Sequence, residues 1–513
     1  MDGLPNRFDR FLRRSPPRRY RLDNYKRWFP KTAEVFLEYV KGFDALPVPN
    51  GLAGPAVGVV VAPWVSTAVP WYSIMLAIGL ARRRRKVILL WDDTGFPEPN
   101  VDQQNRAIAG VLGHVGRYLP VVRLSEQPAH PSSETDGRAI ATLTSHNATW
   151  RLRGAAPAER DLRWARDVEA SLTRALPLVR SALGRDDHAC VLVPGGVYGT
   201  SGLFRLAAED RGCRVATYDA DLHVVQLCVS GVAAQHGDVP RAFDALWNSR
   251  EDSRREAIAT ARAEFDSRSE STDRYGFQRL PAQAETSTDV DAVLMPLNVE
   301  WDTAALGRHL HFTDTVDWIT STITEILELN ECPVIVRQHP SERRALQRSR
   351  LDIGTILQER FGDDPRCRFV PAESEVNTYD LLASARLVLP FVSTIGIEAA
   401  ALGKPVLVSG TSYYADLGFV WSAASRDEYF ELLRRGVLGD LPPLADQRDR
   451  AWICYYLAAV RNRIWTEFTP QPDDFWKWCR RPPDSLFAEP EVSDLLEAID
   501  TDVPVALLRH RRS

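Results

Sequence analysis

The chain has 513 residues, enough for two or three domains at roughly 100–200 residues each. Apolar residues make up 44% and charged residues 26%, the mix of a soluble globular protein, and a net charge of -5 argues against a general polyanion binder and a nucleic-acid partner. Seven cysteines, an odd number without any C-x-x-C spacing, indicate neither a disulfide framework nor a zinc site and fit a reducing, cytoplasmic compartment.

Charge is uneven at the start. Residues 1–29 carry nine Arg/Lys against three Asp, and Arg82, Arg83, Arg84, Arg85 and Lys86 form a second basic run. The first segment lacks the apolar centre of a secretory signal and reads as an extended basic arm over residues 1–40. Both runs are solvated surface by default. Their sharper reading is peripheral contact with the inner membrane face or with an export complex. From Val57 to Ala81 no charge occurs, which imitates a membrane span. Pro63 and Pro70 divide it, however. Val57–Ala62 reads as a buried strand, Trp71–Arg83 as a helix with Pro70 near its first turn, and Lys86–Trp91 as a second strand. A helix from near Val101 and an element around Tyr118–Leu124 follow. Cys190–Pro194, a glycine-rich loop, a helix at Leu203–Asp210 stopped by Gly212, and a strand at Arg214–Tyr218 complete an N-terminal Rossmann-like domain over residues 41–240.

Residues 241–290 read as exposed helix and connector. A regular alternation then runs over residues 291–437: strands at Asp291–Leu297, Pro333–Arg337, Arg368–Val370, Arg386–Phe391 and Pro405–Ser409, with helices at Thr315–Leu329, Glu342–Gln358, Val376–Ala383 and Ile395–Leu402. The Trp-rich tail, 438–513, reads as helical. The fold class is therefore α/β, with two Rossmann-like domains that would face each other across a cleft.

Two constellations carry the chemistry. In Leu387 to Val408 a buried strand ends at Ser393 and Thr394, and a helix of small residues begins. Free backbone N–H groups at that helix start would attract an anion such as phosphate, and Gly396 would admit a ligand close to the backbone. Glu398 lies four residues after Thr394, so simple capping does not account for it. A carboxylate there can accept two ribose hydroxyls, while the plain alternative is a helix-surface glutamate. In Arg337-Gln338-His339-Pro340-Ser341-Glu342 the imidazole follows a Val-rich strand. It would stand at the same carboxyl edge as Ser393, where open α/β sheets bind ligands, and could donate to a phosphate oxygen.

These elements, with Gly403-Lys404-Pro405, resemble the bacterial capsule polysaccharide biosynthesis family, which includes capsule β-Kdo transferases. Similar pieces are Pro296 to Asp302, Phe312 to Trp318, and Ser230 to His236 with Asp238. The likeness spans roughly residues 215–420. It implies a GT-B glycosyltransferase with a CMP- or UDP-linked sugar donor as substrate and no cofactor or metal. The acceptor would be a surface glycan or glycolipid. Carried over, His339, Ser393, Thr394 and Glu398 hold the nucleotide phosphate and ribose, and Arg337 and Gly396 join them as donor-site residues.

The glycine loop Gly195–Gly202 lacks the lysine of a P-loop and reads as a tight turn or an acceptor contact. Asp219-Ala220-Asp221 has the D-x-D spacing of a metal site, which chance also produces. Acids near strand ends, Asp92, Asp93, Asp219, Asp221, Glu300 and Asp302, and the imidazole of His236 are candidates for the acceptor base. From these, Asp93, Glu300, Asp302 and His236 form the catalytic set. Trp64, Trp71 and Trp301 are candidate sugar platforms, although buried core is the commoner fate of Trp. Rival readings are a nucleotide-sugar 2-epimerase, a polyol-phosphate transferase with a CDP donor, and a non-catalytic assembly protein.

Overall fold

The computed structural model describes residues 18–42, 54–64, 67–97, 100–129, 134–269, 291–329, 332–344 and 347–512. The first seventeen residues of the basic segment and the connector beyond Ser269 lie outside them. The chain forms two units: Met1–Ala148, Pro157–Asp238 and Asn462–Ser513 make the first, and Thr149–Ala156 with Val239–Arg461 make the second.

The first unit is built on a seven-stranded sheet. Its strands are β1 (Ala56–Val61), β2 (Val87–Trp91), β3 (Val121–Arg123), β4 (His188–Pro194), β5 (Arg214–Asp221), β6 (Val224–Cys228) and, from the tail, β13 (Arg463–Trp465). They lie in the order β13-β6-β5-β4-β1-β2-β3. The pairs from β3 to β5 are parallel, whereas β6 and β13 join antiparallel. β1 is buried along its whole length, as a parallel strand covered on both faces must be.

The uncharged stretch that imitates a membrane span is a buried strand followed by a buried helix, Val69–Arg82. Every residue of that helix from Val69 to Ala81 is buried. A helix apolar on all sides needs cover on all sides. Phe29 and Phe36 of the N-terminal helix Arg18–Lys41 stack on Trp71, with centroids 5.2 and 5.3 Å away. On another side the tail helix Pro490–Thr501 comes so close to Gly79 that a Cβ there would lie 2.7 Å from a Leu496 methyl. Among the described residues no helix is long and apolar enough to cross a membrane.

Three expectations are corrected here. Residues 18–41 are not an extended arm: they are helical, and Phe29, Ala33, Phe36 and Val40 enter the core. The tail is not wholly helical: it supplies β13, and Trp478 packs fully buried against Phe36, Phe468 and Phe475. The second basic run is largely neutralised. Arg82 pairs with Asp484, Arg83 with Glu497 and Asp500, Arg85 with Asp500, and Lys86 with Asp186.

The second unit carries a four-stranded, all-parallel sheet of β7 (Ala292–Pro296), β8 (Val334–Arg337), β9 (Cys367–Val370) and β10 (Ala385–Val388), in the order β10-β7-β8-β9. Strand order therefore reverses between β7 and β10. A short parallel pair, β11 (Leu407–Val408) and β12 (Trp421–Ser422), follows. The sequence places these strands and the Thr315–Leu329 helix within a few residues. It fails over 342–358. The turn Pro340–Arg343 is a short 3-10 segment, and the next helix spans only Ile353–Phe361, starting where Asp352 caps the Thr355 amide. Both units are Rossmann-like α/β layers, as the alternation requires.

Candidate functional site

A cavity lies at the carboxyl ends of β7, β8 and β10, at the point where strand order reverses. In open α/β sheets that crevice is where ligands bind. It is lined by Pro296 and Leu297 after β7, Arg337 to Pro340 at the end of β8, Thr378, and Ser393, Thr394, Ile395 and Glu398 after β10. Its room is about 50 Å³. At roughly 10–15 Å³ per water, that is room for a phosphate-sized group.

The wall at the end of β8 is held largely by side chains of its own motif. Arg337 is 2% exposed. Its guanidinium donates to the carbonyls of Val370, Pro371 and Val376 and, at 3.4 Å, to the Thr378 hydroxyl. Burial, and then the nearby Arg343 cation, push its pKa down to about 10, while Glu373 opposes. It stays charged at neutral pH, so the cavity has a cationic wall whose own hydrogen bonds go to neutral acceptors. Gln338 ties the next turn together, accepting from the Ala372 amide at 3.0 Å and donating to Glu342 at 3.1 Å. Glu342 also accepts the Ser349 amide at 2.8 Å.

His339 Nδ1 accepts from the Ser341 amide at 3.2 Å and lies 2.7 Å from the Ser341 hydroxyl. Accepting at Nδ1 assigns the proton of the neutral ring to Nε2. The imidazole is thus set as an Nε2–H donor on the cavity wall.

The opposite wall is the turn from Ser393 into the helix Ile395–Ala401. The Asn298 carboxamide accepts the Val392 amide at 3.2 Å, joining the ends of β7 and β10. Tyr414, fully buried, donates its hydroxyl to the Ser393 carbonyl at 2.6 Å. Glu398 is 1% exposed and lines the cavity, so it is not a solvated helix-surface glutamate.

Two details depart from expectation. The amides of Gly396, Ile397 and Glu398 are not free, since they donate to the carbonyls of Ser393 and Thr394. Any anion here is therefore held mainly by side chains. Gly396 does not line the cavity either. A Cβ there would lie 2.5 Å from the Tyr414 hydroxyl and 2.9 Å from Pro390 Cγ, so the glycine makes room for Tyr414 rather than for a ligand.

The structure brings Arg337, His339, Ser393, Thr394 and Glu398 to one cavity, but none of the four acid–base candidates lines it. Asp93 accepts the Ser125 amide at 2.8 Å and the Ser125 hydroxyl at 2.5 Å and pairs with Arg123, which ties the end of β2 to the end of β3. His236 is 8% exposed, and burial, with Arg463 adding to it, pushes its pKa down to about 3. Asn462 lies 3.3 Å from its Nδ1. Its low pKa makes this imidazole a weak base, and its burial leaves it little access to an acceptor. Asp302 is exposed and opens a turn, accepting the Ala304 amide.

Glu300 is half-buried. One of its carboxyl oxygens is buried without a hydrogen-bond partner and faces Gly154, where a Cβ would lie 3.0 Å from it. Burial, the largest cause, and the Asp314 carboxylate raise its pKa. Trp301 lies beside it, with the Arg153 guanidinium 4.4 Å above the ring. Trp71 is core, and Trp64 packs against Gly195.

In the first unit the glycine loop is tied by its own side chains. Arg205 donates to the Gly196 carbonyl at 2.7 Å, Thr200 bonds Asp92, and Gly195, Gly196 and Gly199 all have positive φ. Asp92 is buried, and burial raises its pKa. Thr378, Asn298 and Tyr414 at the second unit's cavity were not singled out by the sequence. Asn298 sits inside the Pro296–Asp302 motif, which was the available signal. Nothing local marks Tyr414.

Residues 271–432 match the sequence model of the capsule polysaccharide biosynthesis protein family, and every residue lining the cavity falls within that stretch. That segment is similar to the capsule polysaccharide biosynthesis family. The match covers under half of the chain. Among curated proteins no sequence matches.

Three solved structures are similar at low identity. KpsC of Thermosulfurimonas dismutans, a β-Kdo 2,4 transferase, is 13% identical over 52% of this chain and 88% of its own, with a TM-score of 0.33. The β-Kdo 2,7 transferase of the same KpsC is 14% identical over 55% and 81%, at 0.30. S. aureus MnaA, in a co-structure with UDP, is 13% identical over 80% and 94%, at 0.29. At such scores the likenesses carry no weight for what this chain binds.

Proposed function

We propose that the chain is a GT-B-type glycosyltransferase of surface or capsular polysaccharide synthesis. It moves a sugar from a CMP- or UDP-linked donor held in the second unit to a glycan or glycolipid acceptor. The observation that carries this reading is the convergence of Arg337, His339, Ser393, Thr394 and Glu398 on one phosphate-sized cavity at the strand-order reversal, inside the capsule family segment.

In this reading the leaving phosphate takes hydrogen bonds from His339 Nε2–H and the hydroxyls of Ser393 and Thr394. The buried guanidinium of Arg337 supplies fixed positive charge, which offsets the charge that grows on the phosphate as the glycosidic bond breaks. Glu398 accepts the ribose hydroxyls. The acceptor hydroxyl needs a base, and Glu300 keeps the chemistry for it: a raised pKa and an unpartnered oxygen.

The test incubates the protein with CMP-, UDP-, GDP- and CDP-sugars, with and without a capsular oligosaccharide, and weighs the products. The reading expects nucleotide release that depends on acceptor and a product heavier by one sugar residue. Turnover of a sugar nucleotide without acceptor would instead indicate an epimerase, and release of CMP with transfer of a polyol phosphate would indicate the CDP-donor reaction.

A further inference from the structure

A groove of about 460 Å³ opens on the first unit, lined by Lys31, Val35, Trp476, Cys479 and Arg480, and its exposed lining is almost entirely apolar. Two helices form it. On the N-terminal helix, positions 28, 31 and 35 share one face, while Phe29, Ala33, Phe36 and Val40 on the other enter the core. On the tail side, Trp476 lies in the helix Pro472–Trp478, and Cys479 and Arg480 follow directly. Trp28 and Trp476 are half-buried and meet edge to face at 6.4 Å.

The charges around the groove divide in two. Nearby cations are paired: Lys41 with Glu38, Lys477 with Glu467, Arg481 with Glu489 and Arg82 with Asp484. Lys31 and Arg480 are exposed and make no ion pair among the described contacts. The same helix begins with five Arg/Lys and one Asp between Arg18 and Arg27.

We propose that this face docks the protein on an anionic phospholipid bilayer. The groove and the two indole edges would take the acyl–headgroup boundary, and Lys31 and Arg480 the lipid phosphates. Half-exposed Trp beside Lys and Arg is the composition that sits at that boundary, with long basic side chains keeping their charge at headgroup level. Since no described helix can span a bilayer, attachment here is peripheral. This inference does not depend on the chemistry of the donor cavity.

The test is co-sedimentation of the full chain with vesicles of phosphatidylcholine alone and of phosphatidylcholine mixed with phosphatidylglycerol. Binding is expected only to the mixed vesicles and weakens as salt rises. At about fivefold in affinity per cation near the surface, Lys31→Glu/Arg480→Glu lowers partitioning by at least about 25-fold. Its melting temperature stays unchanged, because both side chains are exposed. Trp476→Ala weakens binding without removing its salt dependence. No binding to the mixed vesicles overturns the proposal. So does equal binding by the charge-reversed variant, including the case where only removal of residues 1–17 abolishes it. Self-association in sedimentation velocity that the same variant abolishes would assign the face to a second copy and overturn it as well.

Discussion

The enclosure of His236 predicts a specific acid sensitivity. The imidazole is neutral in the folded protein, with its pKa pushed down to about 3, whereas an unfolded chain holds histidine near 6.5. Because the folded value is the lower one, the unfolded state binds the extra proton below pH 6.5. Stability is then complete above that value and falls as pH drops toward the folded pKa. At pH 5 the unfolded state gains about 2 kcal/mol from this one group. His236 has a left-handed backbone, φ 54°, and its Nδ1 lies 3.3 Å from the Asn462 amide nitrogen. Asparagine tolerates that backbone and can accept the same hydrogen bond. His236→Asn should therefore fold and lose the proton linkage. Pulse proteolysis across a urea series, with peptides of the first unit followed by mass spectrometry, measures it. Between pH 7.5 and 5.0 the wild type should lose about 2 kcal/mol more than the variant, and at pH 7.5 both should turn over donor at similar rates. Equal losses would refute the buried-imidazole account. A collapse of turnover at pH 7.5 in a stable variant would restore His236 to catalysis.

Other consequences follow from single contacts. Gly396→Ala forces a methyl into Tyr414, and overpacking of this kind costs about 1–3 kcal/mol. Nucleotide affinity should fall, and adding Tyr414→Phe, which removes the clashing oxygen, should recover part of it in a calorimetric titration. Asp93→Asn should lower the melting temperature by weakening the Ser125 and Arg123 contacts while kcat changes less than about tenfold, since a lost general base typically costs 10²–10⁴. Glu300→Gln is the converse: kcat should drop by about 10² or more with KM for donor unchanged. Wild-type kcat in that variant would remove Glu300 from the chemistry.

The cavity was legible because its parts are local. Arg337 ends the buried strand β8 and Ser393 lies five residues past the end of β10, so both motifs emerge at one edge of a parallel sheet. What stayed hidden depends on distant partners. β13 is three residues long, and its partner β6 lies more than two hundred positions away. The carboxylate of Asp93 looks free in sequence until Ser125 and Arg123 reach it. Arg82, Arg83 and Arg85 look like a cationic patch until the tail acids Asp484, Glu497 and Asp500 pair with them. The free amides expected after Ser393 were taken up by carbonyls one turn back, and Gly396 answered to Tyr414, eighteen residues on. In each case an alternation of strand and helix showed where a residue stands, but not which neighbour engages it.

The measurement closest to the central claim is isothermal titration of CMP, UDP, GDP and CDP into the wild type, His339→Ala and Glu398→Ala. One shared phosphate and ribose site predicts binding of at least one nucleotide by the wild type. Each variant should bind it at least tenfold more weakly, with melting temperatures within a few degrees of wild type. Unchanged affinity in both variants would contradict a donor site between β7 and β10.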